Sequence, residues 1–140
     1  MKLECQFTGT NLDKRDTFSD SDPFLIIKQI TDDVEEGYKE LARTEIIQDN
    51  NNPEWKPIEI EVHPTSVDVG DIHFKIICFD SDQLKEDDLI GEFYTTLSEI
   101  MGAQKETVSW YLINPEFIRR TGYKNSGEIS LKVIRVVEME

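Results

Sequence analysis

The amino-acid sequence predicts an all-β fold, an eight-stranded antiparallel β-sandwich. Short stretches in which apolar and polar residues alternate recur along the 140 residues, and turn-rich segments such as NNNP, PTSVDVGD and YKNSG separate them. Alternation with a period of two places every second side chain on one face, as in a strand with one buried face. Many short strands with little helix are typical of two packed antiparallel sheets.

The first half of the chain predicts four strands. KLECQF, at residues 2–7, alternates apolar and charged or polar residues. PFLIIKQI, at 23–30, is a continuous apolar run, which predicts a strand covered on both faces. Weaker patterns predict strands at 39–47 and 57–62.

The second half predicts four more strands and one short helix. IHFKIICFD, at 72–80, alternates strictly before it reaches an aspartate, and GEISLKVIRV, at 127–136, closes the chain with the same alternation. Weaker strands are expected at 89–97 and 108–113. SEIMGAQKE, at 98–106, has a slight helical pattern, so one or two turns are expected there.

Composition excludes several classes of function. The chain has 29 Asp and Glu against 15 Lys and Arg, a formal net charge of −14, so it lacks the basic face that nucleic-acid binding requires. The same charge argues against unaided attraction to anionic lipid. No apolar run approaches the roughly 18 residues of a membrane span, and MKLECQFTG is not a signal peptide. A single cytoplasmic domain, 1–140, is expected, with Cys5 and Cys78 as buried free thiols.

Two acidic loops follow two of the predicted strands. Four aspartates follow the first strand, Asp13, Asp16, Asp20 and Asp22, and four follow the fifth, Asp80, Asp82, Asp87 and Asp88. A β-sandwich gathers its loops at two ends, so clusters that are far apart in sequence can converge. Two like charges about 4 Å apart repel by about 1 kcal/mol in water and by about 4 kcal/mol at an effective dielectric of 20. Converging carboxylates therefore have raised pKa values or recruit cations.

Calcium suits such a cluster, because it takes about 6–8 oxygen ligands, whereas zinc prefers His and Cys. The alternative is that each acidic run is a solvated surface. Neither loop matches an EF-hand, since Lys85 and Ser21 occupy the positions that require glycine. No phosphate-binding glycine loop, sugar-stacking groove or Ser-His-Asp set supports an enzyme, so a non-catalytic protein is expected.

The loop sequences resemble C2 domains. NLDKRDTFSDSDPFL is similar to the first calcium loop and following strand of that family, TEIIQDNNNPEW to its strand and Asn-Pro-x-Trp turn, and FDSDQLKEDDLIGE to its third loop. WKPIEIEV, DDLIGEFYTTLSEI, YLINPE and YKNSGEISLKVIRVVE resemble the second C2 domain of copines in particular. The resemblance covers essentially the whole chain. It implies the circularly permuted strand order called type II topology.

The resemblance also implies a function, calcium-dependent binding to anionic, phosphatidylserine-like membranes. The implied calcium ligands are five aspartate side chains and two backbone carbonyls, namely Asp16, Asp22, Asp80, Asp82, Asp88, Arg15 and Ser81. Phe18 and Leu84, at the loop apices, are candidates for membrane insertion, with folding of Phe18 back onto the sandwich as an equal alternative. The expected setting is cytoplasmic, with peripheral recruitment to membranes when calcium rises.

Two further surfaces are considered. The strands that carry a phosphoinositide site in many C2 domains have few basic residues here, with Phe24 and Ile26 where such members often have Tyr and Lys. Arg119, Arg120 and Lys124 form a small basic cluster in the late loop, which is interpreted as ordinary surface charge. The alternative function is a calcium-insensitive module that binds protein partners through a sheet face or this basic loop.

Overall fold

Two four-stranded antiparallel sheets form the protein. The computed structural model describes residues 1–14, 19–32 and 37–138. The first sheet has the order β4 (Ile58–Glu61), β1 (Lys2–Thr10), β8 (Glu128–Val137), β7 (Val108–Tyr111). The second has the order β3 (Tyr38–Arg43), β2 (Pro23–Ile30), β5 (His73–Asp80), β6 (Asp88–Thr96). The predicted eight-stranded sandwich is confirmed.

The few helical elements lie between strands. Helix α1 (Leu97–Met101) begins at Thr96, whose hydroxyl accepts a hydrogen bond from Glu99 N, and it continues into a 3₁₀ turn, Gly102–Gln104. A second 3₁₀ turn, Val69–Asp71, was not predicted. No helix in the described parts of the chain has the length and hydropathy needed to cross a membrane.

Three of the weaker predicted strands are shorter than expected, since β4 covers Ile58–Glu61 instead of 57–62, β7 ends at Tyr111 instead of 113, and β3 differs most. The pattern predicted a strand at 39–47, but β3 ends at Arg43. At this point Leu25 N of the neighbouring strand donates to the side-chain hydroxyl of Thr44 at 2.8 Å, where a regular ladder would use a backbone carbonyl. A side chain that replaces a ladder acceptor ends the regular pairing without ending the contact between the two segments.

Alternate residues of the strands form the core between the sheets. Leu3, Cys5 and Phe7 of β1 are at most 1% exposed, as the alternation predicted. Both cysteines are free and buried, and burial raises the pKa of the Cys5 thiol to about 12. Trp55 is fully buried and donates from Nε1 to Pro23 O at 3.1 Å, so it supports the start of β2.

The strand register places the chain ends away from the acidic loops. β1 and β8 pair along their lengths, with Lys2 opposite Val137 and Thr10 opposite Glu128. The start of β1 and the end of β8 therefore share one end of the sandwich. The connections after β1, β5 and β7 share the other end, which we call the loop end. With β8 between β1 and β7, this is the type II strand order.

The two sheets are joined at the edge formed by β6 and the segment after β7. Glu92 and Ile113 exchange two backbone hydrogen bonds of 3.0 Å each. This approach requires glycine at position 91, because an added Cβ there would lie 2.8 Å from Leu112 Cβ. The start of the segment between β7 and β8 is thereby fixed against β6.

Candidate functional site

Three aspartates lie together because neighbouring strands of the second sheet begin or end at the same level. Asp80 is the last residue of β5 and lies opposite Pro23 of β2 on one side and Asp88 of β6 on the other. Asp22 directly precedes Pro23. Opposed residues of antiparallel strands have Cα atoms about 4.5–5.5 Å apart, so the sheet brings the backbones of Asp80 and Asp88 close together, with Asp22 next to the residue that faces Asp80 on its other side.

Backbone N–H groups orient the two inner carboxylates. Asp22 N donates to Asp80 Oδ1 at 2.8 Å, and Asp49 N donates to Asp22 Oδ1 at 2.7 Å. Ser81 N donates to Asp22 O at 3.0 Å, which completes the link between the β1–β2 and β5–β6 loops. Asp80 is only 7% exposed. These backbone donors fix the orientation of both carboxylates.

The β5–β6 loop is held open by its own aspartates. Asp82 Oδ1 accepts from Leu84 N at 2.8 Å, and Asp87 Oδ1 accepts from Asp82 N at 2.9 Å. Side chains that accept from backbone N–H groups a few residues away stabilise a tight turn without helix or strand pairing. The apex residue Leu84 is 97% exposed as a result.

An open cleft of about 500 Å³ lies between the two loops. Its lining is largely carboxylate and hydroxyl oxygen, with one leucine and one lysine: Ser19, Asp20, Asp22, Asp80, Ser81, Asp82, Gln83, Leu84, Lys85 and Asp88. The Lys85 ammonium lies 3.9 Å from Asp82 Oδ2 and 3.9 Å from Asp88 Oδ2. A cation of the chain itself is thus attracted to the space between these two carboxylates.

The structure brings together the described members of the predicted site. The aspartates expected as ligands, with Ser81 and the apex residue, all line this cleft: Asp22, Asp80, Asp82, Asp88, Ser81 and Leu84. The predicted residues Arg15, Asp16 and Phe18 lie outside the described residues. Asp20 and Asp87 have other partners, since Asp20 Oδ1 bonds Lys14 and Asn51 while Asp87 bonds the loop backbone.

The residues present suit calcium in chemistry. Across 1–14, 19–32 and 37–138, no three His, Cys, Asp or Glu side chains are close enough together to hold a metal ion. The donors that face the cleft are nevertheless hard oxygens, the type that calcium prefers, and no cysteine or histidine lines it. The ammonium of Lys85 shows that the cluster attracts positive charge.

The segment between β3 and β4 supports the site, and the sequence patterns did not reveal this. Asp49 Oδ1 accepts from Asp20 N at 2.9 Å, and Asn51 Oδ1 accepts from Ser21 N at 3.0 Å. Asp49 has a φ of 52°, a conformation that Asp and Asn tolerate better than most residues. The QDNNNP sequence predicted a turn, but which loop that turn supports depends on the register of β3 and β2.

Two ion pairs lie on the outward face of the second sheet. Arg43 donates two hydrogen bonds of 2.8 Å to Glu40, which raises the pKa of Arg43 and lowers that of Glu40. Lys75 Nζ lies 3.2 Å from Glu92 Oε2 and faces the rings of two tyrosines. Burial lowers the pKa of Lys75 and its hydrogen bond to Glu92 raises it, with a net increase.

Comparisons with known proteins agree with this architecture. The family model of the C2 domain matches residues 4–113. The chain is similar to the structure of BON1-C2B, with 25% identity and a TM-score of 0.68, covering 99% of this chain and 92% of that one. A C2 domain of plant Extended Synaptotagmin 1 is 22% identical with a TM-score of 0.63, covering 98% of this chain and 96% of that one.

A larger protein matches over a small part of its length. Human GIVD cytosolic phospholipase A2 is 16% identical with a TM-score of 0.59, covering 94% of this chain and 16% of that one. Likenesses at this identity support the fold alone. The family model, in contrast, spans both acidic loops and seven of the eight strands. The chain therefore belongs to the C2 domain family.

Proposed function

We propose that this C2 domain binds calcium ions in the cleft at the loop end and then docks on anionic phospholipid membranes. The observation that carries the proposal is the convergence of Asp22, Asp80 and Asp88 from three adjacent strands, beside Asp82, in one open cleft. Carboxylates that serve only solubility have no reason to be oriented by backbone N–H groups around a shared space.

Each described residue has a distinct part in the proposal. Asp80 and Asp22, oriented by hydrogen bonds, form the inner wall, and Asp82 and Asp88 form the outer wall, with Asp16 and the carbonyls of Arg15 and Ser81 completing the set. Bound calcium supplies positive charge that neutralises the carboxylates and presents open coordination positions to lipid phosphate or carboxylate oxygens. Lys85 leaves the space between Asp82 and Asp88 when calcium enters.

The charge of the domain indicates how contact with the membrane is made. Two calcium ions bring four positive charges, so a formal net charge of −14 becomes about −10 and the loaded domain stays acidic. Charges on a membrane are screened over about 8 Å at physiological salt. Long-range attraction is therefore weak, and direct calcium bridges to the lipid head groups carry the binding.

An apolar loop tip adds to the calcium bridge. Leu84 is almost fully exposed beside the cleft, where an apolar side chain has no partner within the described chain. Insertion of such a side chain into the membrane contributes about 1.5–3 kcal/mol. Phe18 is proposed as the corresponding tip of the first loop.

The finer assignments rest on the same sequence features. We propose that the domain is of the same kind as the second C2 domain of copines and that it has no catalytic activity of its own. We also propose that it acts in the cytoplasm as a module recruited peripherally to membranes. The alternative, calcium-insensitive protein binding through a sheet face, is less well supported. The Arg43–Glu40 and Lys75–Glu92 pairs already satisfy charged groups on the outward face of the second sheet.

Co-sedimentation with phosphatidylserine vesicles tests the proposal. Asp80→Asn with Asp82→Asn removes two carboxylates from the cleft. Asp68→Asn with Asp71→Asn is the matched control, because these exposed residues lie near the start of β5, at the other end of the sandwich. The wild type and the control should sediment with vesicles in calcium and stay in solution with chelator, whereas the cleft variant should not sediment in either. Vesicle binding that survives chelation would contradict the proposal, and thermal melts show that each variant is folded.

A further inference from the structure

The segment 112–127 leaves β7 and enters β8 at the loop end, and hydrogen bonds join it to both acidic loops. Tyr111 pairs with Glu128, and Glu128 pairs with Thr10 at the end of β1. The connection therefore leaves and re-enters the sheet at the level where the first acidic loop begins. Its position relative to the calcium cleft depends on this register, which sequence patterns do not give.

Hydrogen bonds tie this segment to both acidic loops. Asn114 Nδ2 donates to Leu89 O, one residue beyond Asp88, at 2.9 Å. At its far end, Asp13 N donates to Ser126 O at 3.0 Å. These bonds join the segment to the start of the first loop and to the end of the second.

The interior of the segment is a packed turn. Tyr123 is its centre, since its hydroxyl accepts from Asn114 N at 2.9 Å and lies 2.6 Å from Ser126 Oγ. Phe117 is buried and packs edge to face with Tyr123, at a centroid distance of 5.9 Å. Backbone hydrogen bonds from Phe117 N to Asn114 O and from Arg120 N to Phe117 O form successive turns. These hydrogen bonds and the ring packing give the segment a fixed conformation.

This scaffold presents three basic side chains to solvent. Arg119, Arg120 and Lys124 are all exposed, and the Arg120 guanidinium lies 3.9 Å from the centroid of the Phe117 ring. Within the described residues, none of the three forms an ion pair with a carboxylate. Ile118, beside them, is 58% exposed. A guanidinium held on an aromatic ring keeps its outer edge available for anionic oxygens.

We propose that Arg119, Arg120 and Lys124, the basic arm, form a second membrane contact that binds lipid phosphate groups next to the calcium-bridged ones. The inference rests on the proposed function, because the acidic domain must first be brought to the surface by calcium. The hydrogen bonds from Asn114 and to Ser126 fix both ends of the segment that carries the arm to the two acidic loops. Once the domain is within a screening length of about 8 Å, the arm's positive charges act on the membrane although the whole domain is acidic.

Neutralising the basic arm tests this inference. The test variant carries Arg119→Gln, Arg120→Gln and Lys124→Gln. The matched control carries Lys56→Gln, Lys105→Gln and Lys132→Gln, three exposed lysines outside the loop end. Each triple variant loses three positive charges, so both change the formal net charge from −14 to −17. Binding to phosphatidylcholine–phosphatidylserine vesicles is measured at saturating calcium over a range of salt concentrations, and thermal melts with calcium are recorded without lipid.

The arm variant should bind vesicles about tenfold or more weakly than the wild type, with a shallower salt dependence. The control should lose less than about twofold, and calcium should raise the melting temperature of all three proteins equally. Equal losses in both triple variants would overturn the inference, since only overall charge would matter. Unchanged binding of the arm variant would also overturn it and leave the arm for an acidic protein partner. A wild type that fails to bind vesicles in calcium would instead contradict the proposed function itself.

Discussion

The outward face of the second sheet and the loop end differ in how their charged residues are paired. On the sheet face, Arg43 bonds Glu40 and Lys75 lies 3.2 Å from Glu92, so each of these two cations has a carboxylate partner. At the loop end, the carboxylates lie together in one cleft and the basic arm lies apart from them. Asp20 pairs with Lys14 at 3.0 Å, but the only cation near Asp82 and Asp88 in the described residues, the Lys85 ammonium, stays 3.9 Å from each of them.

This difference indicates where the protein meets its partners. A surface whose charges are already paired gains little from a charged ligand, because each new contact replaces an existing one. A surface on which like charges are held together gains the full interaction when an opposite charge arrives. The loop end has this arrangement twice, in the carboxylate cleft that we propose for calcium and in the basic arm that we propose for phosphate.

The largest expected effect concerns the inner carboxylate of the cleft. Asp80→Asn should weaken calcium binding at least about 100-fold, since even the outer-shell partners of metal ligands typically contribute about 10–100-fold. Asp87→Asn is the matched control, because Asp87 does not line the cleft and an asparagine oxygen still accepts the hydrogen bond from Asp82 N. Its calcium affinity should stay within about threefold of the wild type. Isothermal titration with calcium measures both, and similar losses in the two variants would show that no particular carboxylate defines the cleft.

A second expected effect concerns the loop apex. Leu84→Ser should weaken vesicle binding in calcium by about tenfold or more, because an exposed leucine that enters a membrane contributes about 1.5–3 kcal/mol. Val67→Ser, an equally simple loss of an exposed aliphatic side chain on the β4–β5 connection, should leave vesicle binding unchanged. Co-sedimentation measures both variants. If calcium raises the melting temperature of Leu84→Ser as much as that of the wild type, and the variant also binds vesicles as strongly as the wild type, the apex does not insert.

A smaller effect, of opposite sign, is expected at Lys85. Lys85→Gln should increase calcium affinity by about two- to fivefold, because removing an ammonium from the space between Asp82 and Asp88 removes about 1 kcal/mol or less of competing attraction. Lys105→Gln, which makes the same change of charge outside the loop end, should have no measurable effect. Calcium titration measures the affinity of both variants and of the wild type. A weaker calcium affinity in Lys85→Gln would mean that this ammonium supports the loop rather than competing with calcium.

The smallest effect is expected on the sheet face. Lys75→Gln breaks the pair with Glu92 and should lower the free energy of unfolding by about 1 kcal/mol. Vesicle binding in calcium should stay within about twofold of the wild type, since this face does not contact the membrane. Denaturant unfolding measures the free energy of unfolding, and co-sedimentation measures vesicle binding. A large loss of vesicle binding would place the sheet face in the membrane contact and remove the distinction between the two regions.

Most of the fold could be predicted because strand periodicity is a local property. The alternation in KLECQF and GEISLKVIRV is enough to identify β1 and β8 and the side chains they bury. The end of β3 at Arg43 could not be predicted, because it depends on a bond between Leu25 N and the Thr44 hydroxyl, which are brought together by pairing of distant segments. Propensity alone contains no information on such a bond.

The site could be predicted only in part for a related reason. Asp22, Asp80 and Asp88 lie where strands begin or end, so their convergence follows from the sandwich itself. The support from Asp49 follows from the register of β2 and β3. The place of the basic arm follows from the insertion of β8 between β1 and β7, which only the completed sheet reveals.

The central claim is that one bound calcium ion contacts both the aspartates and the lipid, and a linked titration tests it most directly. The calcium concentration at half-saturation is measured for the wild-type protein without vesicles and then with increasing amounts of phosphatidylserine vesicles. If calcium bridges to lipid, each ligand must raise the affinity for the other by the same factor, so half-saturation should move to lower calcium as lipid increases. A half-saturation that is the same with and without vesicles would contradict the account.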